Sequence, residues 1–182
     1  MAQEHGADNV VHMVGALTRL FRIGLSRGRE MIRVSEEFEH VKSYLTIQKA
    51  RYGEKFDYSL EVQPEVADWL TLRVMLQPLV ENAIYHGIKE QRGKGSVWVT
   101  AKGQDNVLEM AVTDNGAGMS PERLSQLRAM LQAERPAGET SGFALYNVNE
   151  RLRLSFGPEW GITIDSAPGQ GTTATIRLPR KD

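Results

Sequence analysis

A chain of 182 residues, 41% hydrophobic and 25% charged, with 17 glycines and 7 prolines, has an ordinary globular composition; this excludes disordered, collagenous and low-complexity classes. Its net charge of −1, from 22 basic and 23 acidic residues, supplies no field to attract nucleic acid or an anionic membrane. Cysteine is absent, which excludes disulfide scaffolds, thiol nucleophiles and cysteine-held metals and fits a cytoplasmic setting. The longest apolar run, Phe143 to Tyr146, is too short to span a membrane. The expectation is one soluble domain with a helical appendage, making no membrane contact of its own.

Val10, Val14, Leu17 and Phe21 recur at helical spacing, with Met13, Leu20 and Leu25 beside them, so the chain opens on an amphipathic helix. A second helix follows, with Ser35 as its expected N-cap, Glu36 and Glu37 at the positive end of its dipole, and Gly53 as its stop. Phe56, Tyr58, Leu60 and Val62 then alternate with polar residues, the pattern of a half-buried strand ended by Pro64. Met75, Leu76, Leu79, Val80, Ala83 and Ile84 give a helical stripe that runs to Gly87. Strands are expected at Val97–Ala101 and Leu108–Val112, joined by a turn over Gly103–Asn106. Ser120-Pro121-Glu122 is a helix start, carrying Leu124, Leu127 and Leu131 toward a loop around Pro136 and Gly138. A helix over 142–156 and strands at Ile162–Ile164 and Ala174–Leu178, with a turn at Pro168-Gly169, complete the chain. Strands and helices mix without strict alternation, which predicts an α+β sandwich: a mixed, mostly antiparallel sheet with helices on one face.

Polar and glycine residues stand where propensity calls for neither. Asn82, a weak helix former, lies inside an apolar helix beside Glu81, and His86 follows it at i+4 on the same face. Alone, that set reads as a solvated flank. Asp114-Asn115-Gly116-Ala117-Gly118 lies past a strand end, where it is either a plain turn or a backbone that closes on a ligand beside a carboxylate able to accept from an exocyclic amine. Gly142 opens a helix, a place that favours phosphate, and Gly169-Gln170-Gly171-Thr172 turns the chain sharply into its last strand.

In order and spacing these segments resemble a known family. Leu76-Gln77-Pro78-Leu79-Val80-Glu81-Asn82-Ala83-Ile84-Tyr85-His86-Gly87 is similar to the N-box of LytS-like sensor histidine kinases, and Asp114 to Gly118 to their D-box. Gly142-Phe143-Ala144-Leu145-Tyr146-Asn147-Val148 is similar to the G2 box, Gly171-Thr172 to the terminal Gly-Thr, and Tyr44 to Gly53 to the linker helix. The resemblance covers nearly the whole chain. It implies a Bergerat-type (GHKL) ATP-binding fold in 35–182, preceded in 1–34 by the end of a helical dimerisation and phosphoacceptor region.

The resemblance further implies a site. Asn82 would hold the Mg²⁺ that bridges the phosphates of ATP, with Glu81 and His86 supporting it as the catalytic cluster. Asp114 would read the adenine amino group, and Thr172 would back Asp114 through its hydroxyl. Gly116, Gly118 and Gly142 would let backbone close on the nucleotide, Leu145 would add an apolar contact, and Met119 to Ser141 would form a mobile lid. Three departures qualify the match. Ala144 replaces the family's second G2 glycine. Pro78 stands where related ATPases carry a water-activating Glu. His5, His12, His40 and His86 all lack the acceptor motif, so the acceptor histidine is expected on a segment absent from this chain.

The implied function is the catalytic domain of a protein-histidine kinase. It would present the γ-phosphoryl of Mg-ATP to that histidine for relay to a response regulator, in a homodimer whose full-length parent is membrane-anchored. The fragment alone would not phosphorylate itself. Two alternatives stand beside this: a degenerate nucleotide-binding or interaction module without turnover, and a GHKL-type ATPase.

Overall fold

The computed structural model describes residues 14–19, 21, 29–88, 93–133 and 143–181. Two helices at the edge of the fold, α1 (Val34–Tyr52) and α2 (Leu76–Asn82), are brought together by a short ribbon of β1 (Met31–Arg33) and β3 (Leu70–Leu72), which pair antiparallel. The main sheet has five strands: β2 (Phe56–Val62), β4 (Gly95–Gln104), β5 (Val107–Asp114), β7 (Thr172–Pro179) and β6 (Gly161–Ser166), in that spatial order. Among the described residues only the β2–β4 pair is parallel. Helices α3 (Pro121–Gln132) and α4 (Phe143–Phe156) pack with α1 and α2 on one face of the sheet, around a single apolar core.

The pleat explains the strands. In β5, Leu108, Met110, Val112 and Asp114 are buried while the residues between them are half-buried. The β4–β5 hairpin closes more tightly than the Gly103–Asn106 turn expected from sequence. Gly103 and Gln104 pair with Leu108 and Val107, leaving a two-residue turn. Asp105 and Asn106 have φ of 52° and 61°, the left-handed pair of a type I′ turn, which matches the twist of the flanking strands.

Helix α1 begins at Val34, with Arg33 rather than Ser35 in the N-cap position. The ribbon is the reason: Val34 N–H donates to Trp69 O at 2.9 Å and Ser35 N–H to Ala67 O at 3.0 Å, so the first donors of a helix that starts ahead of Ser35 are met by neighbouring backbone. Glu36 reaches back to accept from Arg33 N–H at 3.0 Å. At the other end Gly53, at φ 60°, stops the helix as expected. Val14, Leu17 and Phe21 of the opening stripe are exposed, while Val10, Met13, Leu20 and Leu25 lie outside the described residues.

The start of α2 is set from a distance. Glu37, fully buried on α1, accepts from Val74 N at 2.8 Å, Met75 N at 2.6 Å and Leu76 N at 2.8 Å. Burial pushes its carboxyl above the usual range, and the three N–H groups with nearby His40 pull it back. Val74 sits at φ 57°, a strained conformation for a β-branched residue, and the clamp holds it there. Glu37→Ala should cost about 3 kcal/mol or more, because it orphans buried N–H groups and frees the strained turn. Glu36→Ala, at a half-exposed site, should cost no more than about 1 kcal/mol. Urea midpoints at unchanged m-value check the contrast.

Candidate functional site

Asp114 is the last residue of β5 and keeps the inward parity of Leu108, Met110 and Val112, so the pleat carries a carboxylate to the edge of the core. It is 4% exposed. Gly116 N–H donates to Asp114 Oδ1 at 2.8 Å, and the backbone N–H of Thr172, its register partner on β7, donates as well. Desolvation outweighs these two donors and pushes the carboxyl from 3.8 up to about 6.

The loops after β5 and before β7 form one clasp. Gly169 N–H donates to Ala117 O at 2.7 Å, and Met119 N–H to Ser166 Oγ at 2.9 Å. Ser166 has a single proton, and its hydroxyl donates to Gly171 O at 2.8 Å. The 2.9 Å contact between Ser166 Oγ and Thr172 Oγ1 is therefore a donation from Thr172. Thr172 thus reaches Asp114 through its backbone, and its hydroxyl is used on Ser166, contrary to the role the resemblance implies. Gly118 at φ 66° and Gly171 at φ 76° are both required here: a Cβ would strike the Ala167 carbonyl from the first and the Asp114 carbonyl from the second. Asn115 ties the clasp to β4, its Oδ1 accepting from Ser96 N–H at 2.7 Å.

A cavity of about 260 Å³ opens beside the clasp. Asn82, His86, Asp114, Gly118, Leu145 and Thr172 all line it. Asn82 ends α2, and His86 lies in the π-helical turn Ala83–Ile88 that follows, a wide turn common at functional sites. Glu81 is outside the lining and accepts from Gln77 Nε2 at 2.8 Å. Gly116 is also outside it and contributes through its N–H to Asp114. Gly142 lies outside the described residues.

Sequence reasoning missed Met119, Ser120 and Arg123 in the lining. The signal was present: Ser120 caps α3, accepting from Arg123 N–H at 3.3 Å, so that first turn falls directly after Gly118. Helix α3 fills the first half of the segment expected to be a lid, and it is fastened. Leu127 and Leu131 are buried, and Arg128 donates to Ile164 O at 3.0 Å from Nε and 2.6 Å from Nη2. Residues 134–141 of that segment lie outside the described residues.

Among the described residues no group of three or more His, Asp or Glu side chains could hold a metal ion. None of their helices is long and apolar enough to cross a membrane.

Residues 67–182 match the family model "Histidine kinase-, DNA gyrase B-, and HSP90-like ATPase", and residues 1–56 match the model "Histidine kinase". The chain is 34% identical over 166 residues to the sensor protein LytS of Bacillus anthracis, covering 91% of this chain and 28% of that protein. It is 31% identical over 176 residues to the sensor histidine kinase BtsS of Escherichia coli K12, covering 97% of this chain and 29% of that protein. The chain thus spans under a third of these relatives' length. Among solved structures, the mycobacterial sensor histidine kinase MprB aligns with a TM-score of 0.56 at 19% identity, covering 84% of this chain and 97% of that one. The catalytic domain of histidine kinase ThkA aligns at 0.58 and 14% identity, covering 82% and 95%. These two likenesses are of fold.

Asp114 makes the free domain pH-sensitive with a definite sign. The folded carboxyl, at about 6, holds its proton above the pH at which the unfolded one, near 3.8, has lost it. Over that window the folded state binds more protons, so this residue's contribution to stability falls as pH rises. The Tm of Asp114→Asn minus that of wild type should therefore grow from pH 4 to pH 7 and level off above it. A difference independent of pH, measured by scanning calorimetry, would contradict the assignment.

Proposed function

The chain belongs to the histidine kinase-, DNA gyrase B- and HSP90-like ATPase family, as the ATP-binding catalytic domain of a sensor histidine kinase, and from that premise we propose that it presents the γ-phosphoryl of Mg-ATP to a histidine on a separate segment. The observation that carries the proposal is one cavity lined together by Asn82, His86, Asp114 and Thr172.

Asp114 would accept from the adenine amino group. Its burial gives the reason: an ionised carboxylate short of donors gains most from a ligand N–H and rejects the carbonyl that guanine places there. The cavity of about 260 Å³ suits a base, with the phosphates directed toward Asn82 and His86. A single carboxamide, Asn82, fits Mg²⁺, a hard cation that takes most ligands from phosphate and water. When bound, the cation neutralises charge on the transferring phosphoryl group. Asn82, His86 and Arg123 would orient the phosphates, and the attacking imidazole would be the nucleophile, so positioning supplies most of the rate.

His40 is buried at 2% exposure and cannot receive a phosphoryl group, and His86 belongs to the pocket. An acceptor on another segment, a homodimer and onward relay to a response regulator complete the proposal. Exposed Val14, Leu17 and Phe21 support the dimer, since an apolar stripe of that kind asks for a partner. Phe38, Val41 and Leu45 share one core with the sheet, which supports placing α1 with the catalytic unit, while buried Val34 and the pairing of β1 with β3 support a start of that unit near Met31 rather than at 34/35. Ala144 is exposed and outside the pocket lining, so its methyl group gives no reason to prefer a domain without turnover.

Asn82→Ala should abolish measurable Mg-ATP binding by titration calorimetry while leaving the nucleotide-free Tm within about 2 °C, since alanine is the better helix former. Mg-ATP at a hundredfold excess over Kd should stabilise wild type by about 3 kcal/mol, and Mg-GTP far less. With γ-labelled ATP the chain alone should remain unlabelled, and a separate helical hairpin carrying the acceptor histidine should take up an acid-labile label. Strong self-labelling, or equal protection by GTP, would refute the respective parts.

A further inference from the structure

Between α1 and α2 runs a polar chain that core packing does not require. His40 Nε2 lies 2.7 Å from Gln77 Oε1, and Gln77 Nε2 donates to Glu81 Oε1 at 2.8 Å. The amide fixes the direction: its nitrogen serves Glu81, so its oxygen faces His40, and the imidazole donates from Nε2. The other ring nitrogen, Nδ1, is buried with no partner among the described residues. A buried nitrogen left unpaired is destabilising, so stability alone does not account for an imidazole at this position.

The place where the chain ends gives it a use. Gln77 and Glu81 are four residues apart on one face of α2, and Glu81 is followed directly by Asn82. Immediately beyond, α2 passes into the wide turn Ala83–Ile88, where the backbone gives up regular α-helical spacing. Glu37 fixes where α2 starts, and burial of Leu76, Leu79 and Val80 turns one face of the helix to the core. A side-chain tether on the Gln77–Glu81 face adds a directional constraint that non-directional apolar packing does not supply.

We propose that His40 and Gln77 are positioning residues of the nucleotide pocket: the His40–Gln77–Glu81 chain sets the rotation of α2 and with it the aim of Asn82 and His86. The inference rests on the nucleotide reading above. Helix α1, none of whose residues lines the cavity, is then part of the site's machinery. A displacement of α1 that separates His40 from Gln77 is felt at Asn82.

The test measures Mg-ATP affinity and nucleotide-free Tm on the full chain for wild type, His40→Leu/Gln77→Leu, Gln77→Met and His40→Gln. Removing both polar partners together should leave Tm unchanged or raised, because no buried group loses a partner that stays behind on the other helix. The same variant should bind Mg-ATP about five- to tenfold more weakly. Gln77→Met severs the tether by itself and should weaken binding to a similar degree; it decides the question if the double variant does not fold. His40→Gln keeps a donor toward Gln77 and should recover wild-type affinity to within about twofold. Wild-type affinity in the tetherless variants overturns the proposal, as does an affinity that falls only in step with Tm and is not rescued by His40→Gln. Failure of wild type itself to bind Mg-ATP would overturn the nucleotide reading and this inference together, and it is seen before any substitution is made.

Discussion

Three consecutive backbone N–H groups, at Val74, Met75 and Leu76, converge on the Glu37 carboxylate, and the position of the pocket helix follows from that convergence. Both carboxyl oxygens accept, Oε2 from Val74 and Oε1 from Met75 and Leu76. The clamp spans 37 to 39 residues of sequence and crosses from one helix to the next. It also holds Val74 in a left-handed conformation that the residue would not adopt alone. Burial pushes the Glu37 carboxyl above its usual range, and these donors, which would otherwise be buried and unpaired themselves, pull it back.

The opposite wall of the cavity is held by different means. Asp114 and Thr172 are register partners at adjoining strand ends, and the loops beyond them are fastened through Ser166, Gly118 and Gly171. This wall is built from backbone contacts at Gly118 and Gly171 too close for any side chain. Its one unfavourable element is the buried Asp114 carboxylate, whose raised pKa records an incomplete set of donors. A binding site can use such a deficit, because a ligand that supplies the missing donor recovers the desolvation already incurred by the free protein.

Much of this could be read in the sequence. The main-sheet strands, the helix after Ser120 and the stop of α1 at Gly53 follow from alternation, spacing and punctuation, which are local signals. Asn82 stood out as a weak helix former in an apolar helix, and His86, Asp114, Gly118 and Thr172 through the order and spacing of their motifs; all five line one cavity. Ser35 misled because carbonyls of Trp69 and Ala67, more than thirty residues away, accept from Val34 and from Ser35 itself and let the helix start ahead of its cap signal. Glu37 looked like a dipole charge at its own helix start, whereas it serves the start of another. Thr172 was assigned a hydroxyl contact with Asp114 that Ser166 takes instead. For Ser35 and Glu37 a partner more than thirty residues away decided the role, which no periodicity within a window reports; Ser166 is only six residues from Thr172, and the turn between them makes that contact.

Pro78 joins the structural and chemical sides of the site. As the third residue of α2, it lies in the first turn, where an N–H would have no acceptor within the helix, and proline has none to satisfy. With Glu37 taking the N–H groups of Met75 and Leu76, Pro78 removes one more donor from a buried helix start. It lies one turn before Asn82, where a carboxylate could otherwise reach a water beside the phosphates. The nearest carboxylate along the helix, Glu81, is held by Gln77 and lies outside the cavity lining. One residue therefore both spares the buried start of the pocket helix a donor and places no carboxylate one turn before Asn82.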